Sequence, residues 1–218
     1  MKKSAFVALA VFALCAFAIP GNAQMMQKKS GAMMGPMMTK PAMELGMAMR
    51  KLWEDHITYT RNFIISSLAN LEDAGKIAER LLKNQDDIGD AIKPVYGAEA
   101  GAKLSALLRD HILIAADVVK AAMAGNAAGL DAANKKWYAN ADDIAAFLSG
   151  ANPNWTRASL KDMLDKHLEY TTQEVVSRLK KDWAADIEAY DKGHVHMLMF
   201  ADMLTHGIVK QFPDKFKN

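Results

Sequence analysis

The sequence predicts an all-α protein, a six-helix bundle built from three repeated antiparallel helical hairpins. Three observations predict it. A nine-residue pattern recurs as LWEDHITYT from Leu52, LLRDHILIA from Leu107 and MLDKHLEYT from Met163, so that His56, His111 and His167 stand 55 and 56 residues apart, the period of a helix pair. A second pattern keeps step with it: Asn84-Gln85-Asp86-Asp87-Ile88 returns 56 residues later as Asn140-Ala141-Asp142-Asp143-Ile144, and the third copy has diverged to Gly193-His194-Val195-His196-Met197. Between these patterns apolar residues recur at spacings of three and four, and no segment alternates as a strand would.

The chain starts with Lys2 and Lys3, an apolar run from Ala5 to Ile19 and the small residues Gly21 and Ala23. This is the layout of a secretory signal peptide cut before Gln24, and the run is shorter than the roughly 20 residues of a spanning helix. Residues 1–23 are therefore expected to be a signal peptide and the protein to be secreted or periplasmic, with no membrane insertion after cleavage. Cys15 is the one cysteine, and the mature chain would have none, which excludes disulfides and thiolate metal sites. Losing Lys2 and Lys3 leaves 25 basic residues against 25 acidic ones. A balanced chain has no general attraction for nucleic acid or anionic lipid.

Residues 24–43 form a segment rich in Met, Gly, Pro and Lys, without helical or strand period, and are expected to be flexible. Met33, Met34, Met37 and Met38 flank Gly35-Pro36. Thioethers are soft ligands that favour Cu(I); the alternatives for this stretch are a linker of biased composition or a sink for oxidants.

A helical domain is expected from residue 44 to residue 218. Met49, Leu52, Trp53, Ile57, Phe63, Ile64 and Leu68 mark the first helix, Asn70 and Asp73 are candidate caps of the second, and Pro94 and Gly97 end that hairpin. Leu104, Leu107, Leu108, Ile114 and Val118 mark the third helix, Gly125-Asn126 the next turn, and Trp137, Ile144, Phe147 and Leu148 the fourth. The last pair begins near Asn154 or Thr156, turns at Lys181-Asp182 and ends near Gln211.

Each histidine lies on its helix's apolar stripe and so points inward. At 1.5 Å per residue, His56 and Asp87 are equidistant from the first turn. Counting in the same way pairs His111 with Asp143 and His167 with His194 or His196. A layer of His and Asp on rigid helices is raw material for a metal site, with Zn²⁺ or copper the ions it would suit. The alternative is that each His-Asp pair satisfies itself and only fixes the fold. His194 and His196, two residues apart, point to opposite sides of a helix and do not face one ion. Asp202 and His206 share a face but are expected to be solvated. The chain lacks a Gly-rich phosphate loop, a Gly-x-Ser-x-Gly elbow, a haem-attachment motif and His-Glu-x-x-His, so catalysis would fall to the histidine layer.

The segments LWEDHITYTR, NQDDIGDAIKPVYG, LLRDHILIAADVV, WYANADDIAAFL, MLDKHLEYTT, AYDKGHV and FADML resemble a family of small, uncharacterised bacterial helical proteins, over about residues 50 to 210. Members often carry glycosyltransferase or acetylglutamate kinase labels. The resemblance implies a helical fold and carries over no catalytic residue. The functional expectation is an exported binding protein for copper or another transition metal, using the Met-rich arm and the interior His/Asp layer. The alternatives are a structural or protein-interaction module, and an enzyme using the histidine layer.

Overall fold

Thr39 starts the first helix: its side chain accepts from the Ala42 amide, and Pro41 occupies the first turn, where its missing N–H costs nothing. Helix α1 therefore spans Lys40–Leu68 and begins four residues before the expected domain boundary at 44. The computed structural model describes residues 39–217, and the expected signal peptide and the four arm methionines Met33, Met34, Met37 and Met38 lie outside them. After α1 come α2 (Ala74–Tyr96), α3 (Ala98–Met123), α4 (Ala127–Ala151), α5 (Arg157–Leu179) and α6 (Trp183–Gln211), followed by a 3-10 turn, Pro213–Phe216. The protein is an all-α bundle, with no strand among the described residues.

The connections show why the helices stop where they do. Asn70, Gly125 and Lys181 take left-handed backbone angles, with φ of 52°, 61° and 60°. Each follows the C-cap of its helix, in the place where such a residue ends a helix. Asn70 thus terminates α1 and does not cap α2, which starts behind Asp73 without a side-chain cap bond. Asn126, Thr156 and Asp182 do cap their helices, accepting from the amides of Gly129, Ser159 and Ala185. Pro94 lies within the last turn of α2 and Gly97, at φ 88°, closes it.

Each helix packs on the next in sequence, α6 returns to α1, and α1, α3 and α5 touch one another inside this ring. Counted from the three histidines, the same positions are buried on all three inner helices. Met49, Leu104 and Leu160 lie seven residues before, and Trp53, Leu108 and Leu164 three before. Ile64, Val119 and Val175, eight residues after, make a separate small core. Between it and the histidines, Thr60, Ala115 and Thr171 line a cavity of about 20 Å³, space for about one water.

Helices α2 and α3 approach closely at Gly89 and Gly101. A Cβ on Gly89 would stand 2.5 Å from the Gly101 carbonyl oxygen, and one on Gly101 would stand 2.6 Å from that of Gly89. Backbone cannot swing aside as a side chain can. Gly89→Ala is expected to lose about 1–3 kcal/mol of stability, read as a lower urea midpoint.

Candidate functional site

His56, His111 and His167 are 2%, 3% and 2% exposed, and the structure gathers them into one interior layer. The His167 ring centre lies 5.5 Å from that of His56 and 6.0 Å from that of His111. Burial first, then the neighbouring His111, lowers His56 to about 3, against a side-chain hydrogen bond with Gln85 that raises it. Burial lowers His111 to about 4 against the raising effect of Asn140. His167 is also held well below the ordinary value, by burial and then by His56, His111 and His196. All three imidazoles are neutral at pH 7.

The expected His-Asp pairs do not form. Asp87 binds Lys83 on its own helix, and Asp143 is exposed. The residues that reach inward from the same motif are the asparagines three positions earlier. Asn84 Nδ2 donates to the Leu52 carbonyl at 3.0 Å and Asn140 Nδ2 to that of Leu107 at 3.1 Å. In the third place His196 Nε2 donates to the Met163 carbonyl at 2.8 Å. Residues 84, 140 and 196 are spaced by 56, and each binds the carbonyl four residues before a layer histidine. A neutral amide can be buried with its hydrogen bonds made, whereas an unpaired carboxylate cannot. Three residues further along the helix, the aspartates sit at the solvent flank.

His111 is fully engaged. The Trp137 indole N–H donates to its Nε2 at 3.1 Å. Because an indole N–H is only a donor, the His111 proton sits on Nδ1 and is donated to Asn140 Oδ1 at 2.8 Å. His56 and His167 are different. Among the described residues their Nδ1 atoms make no hydrogen bond of good geometry, nor do Trp53 Nε1, Thr60 Oγ1 or Gln85 Oε1, although the Gln85 side chain does interact with His56. The reason lies in the equivalent positions. Asn84 Oδ1 is taken by Gln85 Nε2, His196 is committed to Met163, and the place of Trp137 is held by Leu81 in one case and Gly193 in the other.

The remaining candidates disperse. His194 lies 3.4 Å from Glu54 on α1 and stacks on Tyr190, so it and His196 serve different neighbours, as their spacing predicts. Asp202 pairs with Arg50 at 2.6 Å, while His206 donates to the Asp202 backbone. Among the described residues no group of three or more His, Cys, Asp or Glu side chains is placed to hold a metal ion.

A second buried polar group was not anticipated from the sequence. Arg61 on α1 binds both carboxylate oxygens of Asp186 on α6 and donates to Glu174 on α5 at 2.8 Å, while Arg178 donates to Asp186 at 2.9 Å. Asp186 is 1% and Glu174 5% exposed. Burial raises the Glu174 carboxyl to about 7 despite Arg61. Its signal was present: Glu174 lies seven residues after His167, on the buried stripe.

Compared with protein-family models, curated proteins and solved structures, the chain matches none of them.

Proposed function

We propose that this chain is an exported, non-catalytic binding protein for a soft transition-metal ion, in which the helical domain holds a histidine site and the Met-rich arm supplies thioethers. One observation carries this reading: two neighbouring, buried, neutral imidazoles each keep an Nδ1 that makes no hydrogen bond of good geometry among the described residues, with Gln85 the polar side chain beside His56. A buried polar atom left unmade costs about 1–3 kcal/mol, so a layer serving the fold alone is better closed throughout. Acid-base catalysis by the layer is disfavoured, because it wants pKa values near the working pH and His56 and His111 sit at about 3 and about 4.

Equilibrium dialysis of the mature full chain against Cu(I), Cu(II) and Zn²⁺, each with a competing chelator, tests the proposal. Retention of Cu(I) is expected. Failure to hold any of the three ions against even a weak chelator overturns it.

His111 favours a second reading, in which the layer only specifies the fold. Its chain of bonds from Trp137 through His111 and Asn140 to the Leu107 carbonyl is complete. The recurring carbonyl bonds at 84, 140 and 196 also support an architecture of three copies of one hairpin. Asn140→Ala is expected to cost about 1–3 kcal/mol in urea unfolding and to leave metal retention unchanged. A loss of retention would make His111 part of the site.

A further inference from the structure

We propose that His56 and His167 together bind one Cu(I) ion inside the helical domain, through their Nδ1 atoms. This inference rests on the metal-binding reading and assigns its internal site. The separation of the rings fits. Metal–nitrogen bonds of about 2 Å, with about 1 Å more to each ring centre, place two ligating imidazole centres about 5 to 6 Å apart for ligand angles from tetrahedral to linear. The observed separation is 5.5 Å.

The hydrogen bonds decide which rings take part. His111 lies at 6.0 Å from His167, also within reach, but both of its nitrogens are engaged. Binding there would break the contacts to Trp137 and Asn140. His167 gives up no hydrogen bond at Nδ1, His56 gives up only its interaction with Gln85, which lacks good hydrogen-bond geometry, and a neutral imidazole is the form that ligates.

Charge and ligand number select the ion. Asp87 and Asp143 turn away from the layer, and Glu174 is bound to Arg61. Among the described residues none of these three carboxylates joins the layer, so none of them balances a divalent cation there. Zn²⁺ also wants four ligands, and no set of three His, Cys, Asp or Glu is gathered among the described residues. Cu(I) is a soft d¹⁰ ion that two nitrogens satisfy, and it brings only one positive charge into the interior. The process is ligation alone, without redox change, and no proton is released if each Nδ1 offers its lone pair with the ring proton on Nε2.

The test uses the mature full chain with ¹⁵N-labelled histidine and Ag(I), a redox-inert stand-in for Cu(I). Long-range ¹H–¹⁵N correlation reads each imidazole nitrogen separately, and methionine methyl resonances report the arm in the same sample. Silver is expected to shift Nδ1 of His56 and His167 and to introduce nitrogen–silver coupling there, leaving His111 unmoved. In a His167→Gln variant the coupling at His56 should vanish or weaken at least tenfold in a chelator competition, with helical circular dichroism retained. If silver moves only the methionine methyls, the internal histidine site is overturned and the metal-binding reading is reduced to the arm. If silver is not retained at all, both fall. Shifts at His111 equal to those at the other two would overturn the two-nitrogen assignment.

Discussion

Acidification is expected to destabilise the domain by about 2 to 3 kcal/mol per pH unit between roughly pH 6 and pH 5, far more than exposed carboxylates alone would give. The layer histidines cause this. Their folded-state values are depressed from 6.5, to about 3 for His56 and about 4 for His111, with His167 lowered too. Below pH 6.5 the unfolded chain takes up protons that the folded chain refuses. The stability they contribute is therefore present above 6.5 and is lost as the pH falls toward their folded values. Glu174 works in the opposite sense. Its folded value is raised from 4.5 to about 7, so its contribution is complete below 4.5 and is lost as the pH rises through 7. In the shared window three histidines outweigh one glutamate, and the net is about two protons per unfolding event. Urea unfolding at half-unit steps from about pH 7 to pH 4 measures the slope directly. Glu174→Gln should steepen it by about one proton. A stability that stays flat from pH 7 to pH 5 would show that the imidazoles are not held neutral in the core.

The helices and the histidine layer were legible in the sequence because both depend on periodicity. An apolar residue every three or four positions fixes which face is buried, and a histidine on that face goes in with it, as the 2–3% exposure of His56, His111 and His167 records. The partners were not legible by the same means. Counting residues from a turn locates a level in the bundle to within about one helical turn, and one turn separates Asn84 from Asp87. Choosing between them needed chemistry: an ionised carboxylate leaves an apolar interior for water or for Lys83, while an amide can remain there with its bonds made. The spacing of 56 runs through Asn84, Asn140 and His196 as well as through the aspartates, so the correct set was available to a comparison that ranked burial cost. Residues 24–38 of the Met-rich segment lie outside the described ones, residues 40–43 form the start of α1, and the arm's role rests on composition.

Arg61→Met is expected to be among the most damaging single substitutions in the domain, at about 3–5 kcal/mol. Arg61 is the cation that Glu174 and Asp186 share, and it ties α1 to α5 and α6 at once. Removing it leaves Asp186, 1% exposed, with Arg178 alone, and Glu174 with no hydrogen-bonded cation. Glu174 has a way out, since its carboxyl already sits at about 7 and without Arg61 rises further, so that it can take up a proton. The loss should accordingly be larger at pH 8 than at pH 5. Glu174→Gln anticipates that protonation. The double variant Arg61→Met/Glu174→Gln should therefore be more stable at pH 8 than the sum of its single changes, by the roughly 0.5–3 kcal/mol typical of contacting residues. Urea unfolding of the four proteins at both pH values tests the cycle. An Arg61→Met loss below about 1 kcal/mol at pH 8 would place this cluster with exposed ion pairs, and additive single changes would show that Glu174 does not depend on Arg61 for its charge.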